Sequence, residues 1–182
     1  MKDFRYYSDC FSSLHTAKKL GKPAPHKALL LLSIIDLVER SVICGNHIEL
    51  SDTLVRTFNI NAKKFYANSP IFKPEITKPF VHMQYEPFWR LVATSECAES
   101  AMAAESMPNY GKRKTSYSLK GLREQYRYAE IDEELYELLK DEDVRARLRV
   151  MLISTYLNNR IDLYIPITAL PLYLSILSTL AC

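Results

Sequence analysis

His26 and Lys27 open an almost wholly apolar run, Ala28-Leu29-Leu30-Leu31-Leu32-Ser33-Ile34-Ile35-Asp36-Leu37-Val38. Pro25 suits the first helical position, where the missing N–H would go unpaired anyway. A helix this apolar belongs inside a domain. The pair is then fixed at a helix N-terminus, where backbone N–H groups and the helix dipole favour anions. The chemistry on offer is phosphate holding. The competing assignment makes His26 a helix cap and Lys27 a solvated surface residue. Acid–base chemistry is a weaker prospect. His82, Glu86 and an acidic run at 130–143 carry titratable groups, but no nucleophile–base pair accompanies them. The four histidines, at 15, 26, 47 and 82, show no metal-ligand spacing. No Walker-type phosphate loop or dinucleotide fingerprint is present.

Several elements must position these groups. Residues 3–20 read as an amphipathic helix with Phe4, Tyr7, Phe11 and Leu14 on one side, ended by Gly21. The buried helix covers about 25–40. A turn and short strand follow at 44–50, and Ser51 caps a helix containing Leu54, Val55 and Phe58. Residues 79–93 hold two Pro-Phe starts eight residues apart, which reads as a β-hairpin with an aromatic face around Trp89. A loop or weak helix covers 97–114. A helix over about 119–128 brings Arg123 and Arg127 onto one face. Asp132 caps a helix to about Lys140. Asp141 caps a longer one, with Val144, Leu148, Met151, Leu152 and Tyr156 inward. The expected fold class is mainly helical α+β: a helical bundle with a small antiparallel hairpin or sheet.

Composition sets the bounds. The chain has 182 residues, enough for one sizeable core, with 48% apolar and 25% charged residues. Net charge is only +3, but it is segregated. Lys18, Lys19, Lys22 and Lys27 cluster early; Lys112, Arg113, Lys114, Lys120, Arg123 and Arg127 cluster later. One positive face follows, although any single cluster also reads as a solvated helix face. Cys10, Cys44, Cys97 and Cys182 have no paired spacing, and the N-terminus is no signal peptide, so a cytoplasmic setting is the default. Residues 159–182 form an apolar tail, uncharged from Leu163 onward. It is about as long as a membrane span, but Pro166 and Pro171 interrupt it. A segment packed on the domain, a membrane anchor and an end without evolved structure are the three readings, in that order.

A set of short motifs carries a family resemblance. They are Ala-Pro-His-Lys-Ala-Leu-Leu-Leu-Leu at 24–32, Lys-Pro-Phe-Val-His-Met at 78–83 and Pro-Phe-Trp-Arg-Leu at 87–91. Leu122-Arg123-Glu124, Tyr128-Ala129-Glu130 and Asp132-Glu133-Glu134-Leu135-Tyr136-Glu137-Leu138-Leu139 follow in order. Over about residues 4–158 the chain resembles the sulfur-binding domain of HNH-type restriction endonucleases that attack phosphorothioated DNA. The resemblance implies a domain at 1–158 that binds double-stranded DNA within a restriction or defence system. It implies backbone contacts from His26, Lys27, Lys78 and either Arg123 or Arg127. It further implies a sulfur cavity near Pro79, Phe80 and His82. Lys78 stands where many members carry tyrosine, and Lys27 where arginine is common. No HNH motif is present, so cleavage would fall to a separate nuclease, and no cofactor or metal is implied.

The physical basis is differential desolvation. A phosphate oxygen that enters an apolar cavity loses water without gaining a hydrogen bond, at about 1–3 kcal/mol. Sulfur, poorly hydrated and polarisable, loses less and gains dispersion contacts. Two rival classes remain: a general DNA-binding module indifferent to sulfur, and a protein-interaction domain built on the aromatic stretch.

Overall fold

The computed structural model describes residues 2–19, 22–66, 73, 75–94 and 117–157. In chain order these form α1 (Phe4–Ser12), β1 (Lys18–Lys19), β2 (Lys22–Pro23), α2 (His26–Glu39), β3 (His47–Ile48) and α3 (Asp52–Tyr66). Then come α4 (Thr77–His82), a 3-10 turn (Met83–Tyr85), β4 (Trp89–Ala93), α5 (Leu119–Gln125), β5 (Tyr126–Ile131), α6 (Glu133–Leu139) and α7 (Glu142–Tyr156). The fold is mainly helical α+β, with a small antiparallel sheet in the order β3-β5-β4.

The apolar run becomes the central strut because it has no polar face to show water. Every residue of α2 from Lys27 to Val38 is buried except Asp36, which is half-buried. Leu29, Leu30, Leu32, Ile34, Ile35 and Leu37 are each at most 1% exposed. Burial on this scale stabilises by up to about 1.5–3 kcal/mol per side chain. Helices α3, α4 and α7 pack around α2, and α1 packs on α7. Asn61 in α3 donates to Ser33 Oγ (3.1 Å) and Asp36 Oδ2 (2.8 Å), and Arg40 donates to Thr57 Oγ1 (3.1 Å). Later α3 residues thus meet earlier α2 residues, so the two helices run antiparallel. Arg149 in α7 reaches Asp36 (3.0 Å) and Glu39 (2.6 Å) of α2.

Helix α2 stops in a Schellman turn. Val42 N–H donates to Leu37 O and Ser41 N–H to Val38 O, both at 2.9 Å. Ser41 takes the left-handed conformation this requires, with φ 53°.

Three expected elements differ. The first helix ends at Ser12 rather than near residue 20. Tyr156 Oη accepts the Leu14 N–H (2.8 Å) and Glu86 Oε1 accepts the His15 N–H (2.9 Å), so tertiary partners replace helical ones. Lys18–Lys19 then turns back to pair with Lys22–Pro23. Residues 79–93 are not a hairpin. Pro79 is the third residue of α4, within the first turn, where helical N–H groups lack intrahelical partners and proline is tolerated. β4 pairs instead with β5, from Trp89↔Ile131 to Ala93↔Tyr126. The helix expected over 119–128 ends at Gln125. From Tyr126 the chain is the central strand of the sheet, flanked by β3 and β4, and these non-local ladders override helical continuation.

Two of the three expected caps form, and the one at Asp132 does not. Ser51 Oγ accepts the Leu54 N–H (3.2 Å) and Asp141 Oδ1 the Val144 N–H (3.1 Å). Asp132 precedes α6 but spends its carboxylate elsewhere, on Lys2 Nζ (2.8 Å) and Tyr7 Oη (2.9 Å), tying α1 to the end of the sheet. The tail at 159–182 and the basic residues 112–114 lie outside the described residues.

Candidate nucleic-acid interface

Helix α2 and the short α4 pack together. The N-cap position of α2 is Pro25, which offers no side-chain capping hydrogen bond, so His26 is the first helical residue and not the cap. Its ring is half-buried, and burial holds its pKa below the ordinary histidine value. Glu75 pulls that pKa up and Lys78 pushes it down, which places both charges within reach of the imidazole. His82, at the end of α4, is also depressed, first by burial and then by the ammonium groups of Lys27 and Lys78. Two segments about fifty residues apart therefore share one electrostatic neighbourhood.

Lys27 takes an unexpected part in it. Its side chain is buried, and Nζ lies 2.5 Å from Glu86 Oε1. Glu86 is 3% exposed and also faces His15, whose backbone N–H and ring Nδ1 approach its two oxygens at 2.9 and 3.2 Å. A lysine this buried requires an acid partner. The expectation of an ammonium presented to a ligand therefore gives way to an internal strut. That strut joins α2, the turn after α4 and the stem of the β1–β2 hairpin. Glu86, considered from sequence as an acid–base group, is committed to this pair.

Pro79 and Phe80 also face inward. Phe80 is 1% exposed and sits edge-on to Trp89, with centroids 5.6 Å apart at 88°. Both support the surface from beneath. The rim is made by Lys78, 58% exposed and held 2.9 Å from Glu75, by half-buried His82, and by two tyrosines not singled out from sequence. Tyr85 and Tyr117 are 63% and 37% exposed. Their rings lie nearly parallel to His82, at 6.0 Å and 17° and at 5.8 Å and 26°. The one sequence signal for Tyr85 was its spacing, three residues after His82. Tyr117 gave none, because it is brought in from a distant segment.

The late arginines lie elsewhere. Arg123 in α5 donates through Nε to Leu50 O (2.8 Å) and through Nη2 to Asp52 (2.6 Å), at the start of α3. Because α2 and α3 are antiparallel, that point lies toward the opposite end of α2 from His26, a helix of 14 residues and about 21 Å. α5, seven residues and about 10 Å long, leads from the rim toward Arg123. Tyr117 just before it touches His82, and Lys120 within it is 89% exposed. Arg127 is on β5, exposed, with its guanidinium 5.8 Å from the Tyr128 ring centre. Arg123 and Arg127 do not share a helix face.

Among the described residues, no three His, Cys, Asp or Glu side chains come together to hold a metal ion, and no helix is long and apolar enough to cross a membrane. No known protein-family model matches the chain, and no curated protein matches it.

Proposed function

We propose that this protein binds duplex DNA along its sugar–phosphate backbone and favours a phosphorothioate linkage over an ordinary phosphate. The contact face begins at His26, Lys78 and His82 and continues along Lys120 to Arg123. The observation that carries this reading is the packing of α2 against α4, which brings the charge of Lys78 to bear on both His26 and His82. Those are the two segments that the resemblance to sulfur-binding domains singles out. The exposed basic side chains from Lys78 through Lys120 to Arg123 suit a duplex, which presents a charge every ~1.7 Å of its axis. Lys27 holds this face through Glu86 and does not itself touch the nucleic acid. Pro79 sits under the sulfur position, where an apolar surface penalises oxygen more than sulfur. Binding is assigned to these residues and cleavage to none of them.

Paired titrations of one duplex, plain and singly phosphorothioated, test the proposal. The modified duplex should bind roughly 5- to 150-fold more tightly, the ratio equivalent to an unpaired polar group. Pro79→Ala should shrink that ratio. Lys78→Ala should weaken both complexes alike and lower the salt slope by about one. A ratio near one for the unaltered protein would end the sulfur assignment.

A further inference from the structure

Tyr117 Oη lies 3.5 Å from His82 Nε2, so two of the three rings at the end of α4 hold each other, while Tyr85 makes no such contact among the described residues. Tyr85 shows 63% of its surface to solvent, although Phe80, Met83 and Trp89 close by are buried. Among the described residues the other large exposed apolar side chains, apart from Tyr117, are Val42 and Ile60. Val42 follows α2 and Ile60 lies on α3, so neither surrounds these rings with aliphatic surface. A docking face for a folded protein has an apolar centre. Here the rings stand beside exposed, ion-paired lysines instead: Lys78, one helical turn before His82 on α4 and 2.9 Å from Glu75, and Lys120, three residues after Tyr117 and 3.9 Å from Glu124.

We infer that Tyr85, backed by the near-parallel ring of His82, is a stacking platform for an unpaired nucleobase whose flanking phosphates lie on Lys78 and Lys120. The inference rests on the nucleic-acid reading above and extends it to a base, where that reading involves only the backbone. Every base has a π-face, so the platform selects unpaired nucleotides without selecting sequence. Exposed aromatics beside a cationic track are the general solution for single-strand binding.

The test is a cycle between Tyr85 and the base. Two labelled hexamers of equal charge are titrated, one of thymidine and one of abasic deoxyribose phosphates. Tyr85→Ala should weaken the thymidine hexamer roughly 5- to 150-fold, the range measured for one stacked base, and leave the abasic hexamer unchanged. Tyr85→Phe and Tyr85→Trp should retain thymidine binding. Equal loss on both hexamers, no loss on either, or an unaltered protein that does not bind thymidine overturns the platform. The same protein is titrated with plain and phosphorothioated duplex. Sulfur-dependent duplex binding without a Tyr85 effect removes the platform alone, whereas Tyr85-dependent hexamer binding without duplex binding removes the duplex proposal alone. Tyr85 is exposed, and circular dichroism of each variant checks that the fold is kept.

Discussion

Replacing Glu86 by alanine should be among the most damaging single changes in this protein. The carboxylate lies 2.5 Å from the Lys27 ammonium, and both side chains are almost fully buried. At an effective dielectric constant near 20, the attraction at that distance is about 6–7 kcal/mol. Desolvating both ions costs several kcal/mol each, so the intact pair is worth little more than an apolar pair of the same shape. Removing one partner is different, because the remaining charge stays buried and unpaired, at about 3–5 kcal/mol. Glu86→Ala also frees the His15 N–H and its ring. Typical total stability is about 5–15 kcal/mol. At about 2–4 °C per kcal/mol for a chain of this size, the melting temperature should fall by about 6–20 °C. Lys27→Met with Glu86→Leu should recover most of the loss, which gives a double-mutant coupling of at least about 2 kcal/mol. The assay is urea unfolding of the unaltered protein, Glu86→Ala, Glu86→Leu, Lys27→Met and the double variant, with DNA titration of those that fold. A Glu86→Ala loss below about 1 kcal/mol, or an additive cycle, would refute the buried strut. Abolished DNA binding by the well-folded double variant would show that Lys27 acts directly on the ligand.

Three further outcomes follow. Ser41→Gly should raise stability by about 1 kcal/mol in urea melts, because Ser41 holds a left-handed conformation at the end of α2 that costs a side chain and not glycine; an unchanged or lower midpoint contradicts this. Tyr7→Phe should cost about 1.5–3 kcal/mol by removing the 2.9 Å hydrogen bond to the Asp132 carboxylate, with Lys2 still paired there. The two depressed histidines make pH act in opposite directions on folding and on binding. Folding lowers the His26 and His82 pKa values below the unfolded value of about 6.5, so the unfolded chain takes up protons first as pH falls. The stability they contribute is complete above pH ~6.5 and is lost below it. A DNA phosphate near the rings favours their charged forms, so affinity should rise between pH 7.5 and 5.5 while stability falls, and His26→Asn with His82→Asn should flatten the binding trend. A flat profile for the unaltered protein would mean that no phosphate approaches these rings.

Much of the helical frame was legible because its signals are local. The apolar run of α2, the Ser51 and Asp141 caps and the inward set Leu148, Leu152 and Tyr156 depend on residues within a few positions of one another. The sheet was not. Tyr126–Ile131 continues a helical pattern, and only β3 and β4, about 80 and 35 residues away in sequence, turn it into a strand. Pro79 reads as the start of a hairpin and is instead a tolerated first-turn residue of α4. The convergence of His26 with the Lys78 segment was anticipated, but its chemistry was misjudged at Lys27. Lysine is read as a surface residue until its buried partner is known, and Glu86 lies 59 residues away. Tyr85 and Tyr117 were missed for the related reason that a shelf made of two segments has no spacing of its own.

The most direct measurement is a binding titration of the full chain against one duplex in three forms: plain, and carrying a single phosphorothioate of either stereochemistry. One modified stereoisomer should bind more tightly than the plain duplex, with a preference reduced by Pro79→Ala and salt-dependent affinity for all three. Equal affinity for the three duplexes, or no salt-dependent binding to any, would contradict it.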